Sequence, residues 1–250
     1  MTLEGKSILV TGGGSGLGAA MARHFTSRGA AVTISGRRAE RIEALCEEIG
    51  CAGVVGDVTQ AADREAMVAA AAERGGGLDV LVNNAGNMYR TPITDLDEAQ
   101  LIGLFHTNVV GAMMLTSLAM PHLEAAKGSV LFFGSSHTRR AFPGASPYAA
   151  TKGALQTLTQ VLAAEMGSRG VRVNCIVPGG VLTEINVRAG LLSEAEAAQR
   201  YRDMASLQAI DRLGEGADVA EAAEYLIGAG WVTGAILDVD GGLGLGVSRG

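Results

Sequence analysis

Short apolar runs alternate with helix-periodic segments along the whole chain, and this alternation constrains the fold more than any other feature. The runs are Ser7–Val10, Ala31–Ser35, Val54–Val55, Val80–Val82, Val130–Phe133, Val171–Val177 and Ala235–Val239. Strands separated by helices pair in parallel, because a parallel pair needs a long crossover while an antiparallel pair can close through a tight turn. Most of the runs are continuous in Val, Leu and Ile rather than alternating, as expected of strands covered on both faces. Between them, a helix is expected over Leu17–Ser27, closed by Gly29. In the next helix Ile42, Leu45, Cys46 and Ile49 share one face at i, i+3, i+4, i+7. Asp95 and Glu98 stand at capping-box spacing and open a helix running to Pro121. Ser146 and Pro147 fit the N-cap and first position of another, with Gly170 just past its end. Ser193 and Glu196 cap one more, and Asp218–Ile227 completes the set. The expectation is one doubly wound α/β domain over residues 1–250 with a seven-stranded parallel sheet.

Composition removes several alternatives. The net charge of −6, without a basic cluster, argues against a nucleic-acid partner. The 36 glycines show no period of three, which excludes collagen, and 48% hydrophobic residues exclude disorder. Three cysteines, Cys46, Cys51 and Cys175, lack metal-ligand spacing and read as small buried residues in a reducing compartment. The apolar stretch Val109–Met120 is broken by Gly111, Thr116 and Ser117 and falls short of the ~20 residues of a span. The N-terminal residues carry no apolar signal segment after a basic start. A cytoplasmic chain with no membrane partner and no bound metal is expected.

The strongest local signal is Thr11-Gly12-Gly13-Gly14-Ser15-Gly16-Leu17-Gly18, set between the first strand and its helix. Unpaired N–H groups and the positive dipole end at a helix start attract phosphate, and glycines let it come close. No Lys-Ser/Thr follows, so a nucleotide triphosphate loop is disfavoured. After the second strand, where an acid would meet a free ribose 2′-hydroxyl, the chain has Gly36-Arg37-Arg38. Two cations at a helix N-terminus need a compensating anion. A ribose 2′-phosphate would supply it, which favours NADP(H) over NAD(H), although two solvated surface arginines would read alike. Tyr148 and Lys152 lie one turn apart on one helix face, where the ammonium favours the phenolate. Ser135 ends the fifth strand, at the sheet edge where such folds bind ligands, and its hydroxyl can polarise a carbonyl oxygen.

With Asp57-Val58, Asn83-Asn84-Ala85-Gly86, Asn108, Pro178-Gly179-x-x-x-Thr183 and Asp240-Gly241-Gly242 in order, the chain resembles the short-chain dehydrogenase/reductase family over essentially its whole length. The resemblance implies a Rossmann-type fold and hydride transfer between a nicotinamide and a carbonyl or secondary alcohol. It makes Tyr148 the general acid or base and Lys152 the group that lowers its pKa and binds ribose. Ser135, with Ser136 as rival, would hold the substrate oxygen, and Asn108 a water feeding protons to Lys152. On the cofactor, the resemblance places Gly12, Ser15, Gly16, Leu17 and Gly18 at the pyrophosphate. Arg37, Arg38, Asp57 and Val58 fall at the adenosine end, Asn84 and Ala85 on the adenosine-ribose side, and Gly86, Pro178, Gly179, Val181 and Thr183 at the nicotinamide half. Asn84 and Asn108 also suit a purely backbone-tying role.

Substrate identity is less legible. His137, Thr138, Arg139, Arg140 and Phe142 read as exposed loop residues in preference to an anion- or polyol-binding wall. Met88 and Tyr89 suit either pocket or core, and 184–212, with Arg188, Arg200 and Tyr201, is expected to fold over the site as a lid. The stretch Gly228–Trp231 is shortened relative to the family. The first expectation is an NADPH-dependent ketone or 3-oxoacyl reductase acting on a small molecule, and the alternative an NAD-dependent alcohol, sugar or polyol dehydrogenase. Ser15, where NADP-preferring relatives often carry a basic residue, keeps weight on the alternative. A methyltransferase is disfavoured by Gly36-Arg37, and a catalytically silent cofactor-binding regulator by the intact Asn108, Ser135, Tyr148 and Lys152 set. The small and apolar outward residues Ala112, Met113, Ala154 and Thr157 suggest a homotetramer, with a dimer second.

Overall fold

The computed structural model describes residues 3–181, 190 and 193–246. Its centre is a seven-stranded sheet of β1 (Ser7–Thr11), β2 (Ala31–Gly36), β3 (Ala52–Val55), β4 (Val80–Asn83), β5 (Ser129–Phe133), β6 (Arg172–Pro178) and β7 (Ile236–Val239). The order is β3-β2-β1-β4-β5-β6-β7, and every pairing is parallel. The order reverses between β1 and β4, so a crevice opens above their carboxyl ends, which is where such sheets take ligands.

Helices cover both faces. On one, α1 (Gly16–Ser27), α2 (Ala39–Ile49) and α8 (Gly216–Gly228) pack Met21, Phe25, Leu45 and Leu226 against the strands. On the other, α3 (Ala61–Gly75), α5 (Gly111–Ala126) and α6 (Ser146–Met166) contribute Met67, Leu115, Leu123 and Leu155. Each such side chain taken from water contributes roughly 1.5–3 kcal/mol, so the two layers hold the strand ends firmly in place. Ile42 and Leu45 are buried as their spacing requires, while Cys46 and Ile49 pack half-buried beside them. The remaining helices are α4 (Glu98–Phe105) and α7 (Glu194–Ala205), the latter opened by the expected Ser193–Glu196 capping box.

Some boundaries differ from the sequence expectation. Helix α4 is capped by Asp97, which accepts from Gln100 N–H at 2.8 Å, and Asp95 ends a short 3₁₀ turn instead. A five-residue π turn, His106–Val110, then joins α4 to α5, which continues past Pro121 to Ala126 because the fully buried Leu123 anchors its last turn. Helix α6 is capped by Ala145, with Ser146 and Pro147 already helical. Helix α3 was not expected, since its buried face is made of Met67, Val68 and Ala71 within an alanine-rich stretch of weak contrast. Ala112 is buried in the core rather than outward, although Met113 is exposed. The helical run Glu98–Ala126 is long and apolar enough to cross a membrane by length and composition. Within it Leu115, Ala119 and Leu123 are fully buried against the sheet, while Ile102, Val110, Met113, Met114 and Leu118 are exposed. Within the expected lid, 182–189 and 191–192 lie outside the described residues, and Arg188 with them.

Candidate active site

The glycine-rich junction is built for close backbone approach. Gly12 and Gly16 adopt left-handed φ of 64° and 54°, which glycine takes without steric cost. A Cβ on Gly18 would stand 2.3 Å from the Gly12 carbonyl oxygen and 2.6 Å from Asn84 Nδ2, so the first turn of α1 sits directly on the loop. Asn84 Nδ2 donates to Thr11 O at 2.8 Å, while Thr11 Oγ1 accepts from the N–H groups of Asn84 and Ala85. These bonds lock β1 to the β4 loop. The first turn of α1 holds no acidic residue, and its N-cap Ser15 makes no capping bond, so the positive end of α1 is left for an anion. Gly18→Ala is therefore expected to displace the loop and lower cofactor-dependent turnover by about 10²-fold. Steady-state assays with a dinucleotide titration check this, and an unchanged affinity would count against the loop.

Two adjoining cavities, each of about 170 Å³, share Gly12, Ser15, Ala85, Gly86 and Asn87 and form one groove across the strand ends. One end is cationic, lined by Arg37, Arg38 and Arg41 together with Asp57 and Val58. Arg38 Nη2 donates to Ser15 Oγ at 2.8 Å, and Arg37 Nη1 stands 3.5 Å from Asp57 Oδ2. Burial works to raise the Asp57 carboxyl, but the Thr59 N–H and hydroxyl and the Arg37 guanidinium outweigh it and hold it below its ordinary value.

The other end carries the reactive groups. Ser135 leaves β5, while Tyr148 and Lys152 face inward from α6, and all three are buried. Lys152 Nζ lies 5.6 Å from the Tyr148 ring centre and donates to Phe133 O at 2.9 Å. His137 Nδ1 stands 3.0 Å from Ser135 Oγ, and its ring meets the Tyr148 ring edge-on at 5.3 Å. Asn108 sits in the π turn, a distortion often found at functional sites. Its Oδ1 accepts from Asn87 N–H at 2.8 Å, and its Nδ2 donates to Asn87 O and Thr151 Oγ1. The arrangement places a hydroxyl, a phenol and an ammonium in the wall of one cavity that adjoins the glycine loop. That combination can hold an oxygen and move a proton at it.

Residues 6–191 match the short chain dehydrogenase family. The chain belongs to that family. It is 37% identical to the L-fucose dehydrogenase of Bos taurus, over 98% of this chain and 92% of that one. It is also 37% identical to a galactitol 2-dehydrogenase (L-tagatose-forming) of Cereibacter sphaeroides, over 96% and 95%. Among solved structures, the 3-ketoacyl-(acyl-carrier-protein) reductase of Brucella melitensis complexed with NADH superposes with a TM-score of 0.88 at 31% identity, covering 97% of this chain and 100% of that one. The protein is thus an oxidoreductase of alcohol and carbonyl groups that works with a nicotinamide cofactor.

Most of the family positions gather along the groove. Gly16, Leu17, Asn84, Pro178, Gly179 and Val181 border its reactive half. Gly18 and Asn108 act from behind the lining, and Thr183 lies outside the described residues. Gly179 is also fixed by the fold, since a Cβ there would stand 2.5 Å from Asp240 Cα. Two partners escaped the sequence, Asn87 and Thr151, whose only signal is proximity in space, while Thr11 stood in the glycine motif without a role of its own. The Ser135–Tyr148 segment is not uniformly exposed. His137 and Phe142 line the cavity, whereas Arg139 turns out to Asp238 and Gln156. Met88 likewise lines it, while the Tyr89 hydroxyl accepts from Asp97 N–H.

Burial pushes the Lys152 ammonium down to about 8, from 10.5 for the unperturbed side chain. Between these values the unfolded chain holds the extra proton, so stability rises with pH across this window. Below it both states are protonated and the burial cost is present in full. Relative to Lys152→Met, the cofactor-free wild type should gain up to about 1.4 kcal/mol per pH unit between pH 8 and 10. Urea unfolding measures this, and parallel pH profiles would contradict the depressed value.

Proposed function

We propose that the chain is an NADP(H)-linked dehydrogenase of a secondary hydroxyl on a sugar or polyol, acting reversibly on the corresponding carbonyl. The observation that carries this reading is the single groove joining the arginine-lined end to the Ser135, Tyr148 and Lys152 end. The glycine cradle, the open helix start and the cations beside Ser15 fit a dinucleotide with a ribose 2′-phosphate. When bound, the nicotinamide supplies or accepts the hydride.

Tyr148 takes the proton from the alcohol oxygen or returns it to the carbonyl oxygen. Lys152 favours the phenolate through its charge and holds ribose hydroxyls. Ser135 donates to the substrate oxygen, and Asn108, by fixing Asn87 and Thr151, sets the path beside Lys152. These four residues, with the cofactor positions above and Thr183, form the machinery of one domain. Of the expected lid, residues 193–212, which bring Met204 to the cavity wall, cover the substrate, and the free thiols suit a reducing cytoplasm.

The names of the sugar and polyol relatives favour this substrate class over the ketone or 3-oxoacyl reduction expected first. That second reading keeps support from the Brucella neighbour and from the apolar Met88, Phe142 and Met204 in the cavity wall. Turnover of a panel of sugars, polyols, ketones and 3-oxoacyl thioesters with both cofactors distinguishes them. Oxidation of sugars or polyols with NADP⁺ supports the proposal. Activity confined to 3-oxoacyl thioesters would replace it, and binding of NADPH without turnover would favour a regulator.

Ile102, Val110, Met113, Met114 and Leu118 remain exposed on the α4–α5 face, and Val161 on α6. An apolar face of this kind suits burial against further copies, so we expect a homotetramer. Light scattering at micromolar concentration should give four times the chain mass, and a monomer would contradict it.

A further inference from the structure

Two of the thiols lie together outside the groove. Helix α2 ends at Gly50, whose left-handed backbone (φ 69°) donates its N–H to Cys46 O at 2.8 Å. This turn folds the chain back so that Cys51, just before β3, brings its sulfur to 3.3 Å from Cys46 Sγ. A disulfide is about 2.05 Å long, so closure needs the sulfurs to move together by about 1.2 Å. The neighbourhood permits that shift, because Gly53 has no side chain where Cys46 Sγ packs. Arg74 Nη2 donates to Gly50 O at 2.6 Å and sets a cation beside the pair. Cys46 is half-buried and reachable from solvent, while Cys51 is buried. Among the described residues no third His, Cys, Asp or Glu joins them, so the pair lacks the ligands of a structural metal site.

We propose that Cys46 and Cys51 form an oxidant-sensitive dithiol that closes reversibly to an intrachain disulfide. With a hydroperoxide as oxidant, the Cys46 sulfur attacks the terminal peroxide oxygen and becomes a sulfenic acid, while the other oxygen leaves as water or alcohol. Cys51 sulfur then displaces hydroxide from Cys46, giving the S–S bond and, with the Cys51 proton, one water. Two thiols are oxidised and one peroxide is reduced. Burial, chiefly, together with the Cys46 sulfur pushes the Cys51 thiol up to about 12, so Cys51 acts second, as the resolving thiol held in place. A small dithiol reverses the reaction by exchange.

The test uses the reduced, full-length protein exposed to hydrogen peroxide under native conditions, then alkylated. Trypsin leaves both cysteines on one peptide, Ile42–Arg64, and Cys175 on another. Ile42–Arg64 should appear unalkylated and lighter by two hydrogens, and return to the doubly alkylated form after dithiothreitol. Cys175, fully buried in β6, should alkylate only after unfolding. Cys46→Ser and Cys51→Ser should each abolish the product and leave basal turnover unchanged, since neither touches the groove. Double alkylation after peroxide, or Cys46 carried to sulfinic acid with Cys51 still alkylated, would overturn the proposal. The wild-type peptide alone decides it if a variant does not fold.

Discussion

Replacing Tyr148 with phenylalanine should lower turnover by about 10²–10⁴-fold, the range for loss of a positioned acid–base group. Dinucleotide affinity should change little. The ring is buried, packed edge-on against His137, and one helical turn from Lys152, so phenylalanine fills the same space and only the hydroxyl is lost. A free phenol with a pKa near 10 is a poor acid–base at neutral pH. Its usefulness therefore depends on the ammonium held 5.6 Å from its ring centre by the bond to Phe133 O. Turnover on the best substrate of the panel, with NADPH fluorescence to follow binding, separates the two effects. Equal turnover in variant and wild type would remove Tyr148 from the chemistry. Loss of binding together with turnover would mean that the groove had collapsed.

Much of the fold was readable because strands buried on both faces leave unbroken apolar runs, and all seven fell within two residues of their observed limits. Helix α3 was not, because alanine contributes little to hydrophobic periodicity yet packs well beneath β1 and β2. The cap of α4 stands two residues beyond the one the spacing suggests, because Asp95 and Asp97 both precede the helix and only the bond from Gln100 N–H selects Asp97. At the site, residues that meet a ligand through a local motif were legible: the glycine loop, Tyr148 and Lys152, Ser135. Residues that act by holding those were not. Thr151 carries no motif, yet its hydroxyl ties Asn108 to α6 across 43 positions of sequence. His137 read as an exposed loop residue, because its place over the site rests on ring packing against Phe142 and Tyr148 in addition to the local bond to Ser135.

Cofactor choice gives the second large effect, expected of Arg37→Asp. A guanidinium bonded to a phosphate contributes about 1.5–3 kcal/mol, or roughly 10–150-fold in affinity. The substitution also places a carboxylate beside Asp57, which Arg37 Nη1 approaches to 3.5 Å, so two like charges would face the 2′-phosphate. NADPH affinity should fall by about 100-fold or more. NADH affinity should hold or rise, because a carboxylate at the end of β2 can accept from a free 2′-hydroxyl. Stability should change little. Arg37 is 56% exposed, so its pair with Asp57 is screened, and the bonds from Thr59 that hold the Asp57 carboxyl down remain. The measured ratio of the two dissociation constants thus reports the local anion site rather than the fold. If the wild type binds NADH as tightly as NADPH, the 2′-phosphate reading fails at once. If Arg37→Asp leaves a strong NADPH preference intact, the phosphate rests instead on the rim of Ser15, Arg38 and Arg41. Arg38→Ala, which removes the 2.8 Å bond to Ser15 Oγ, should then produce the loss.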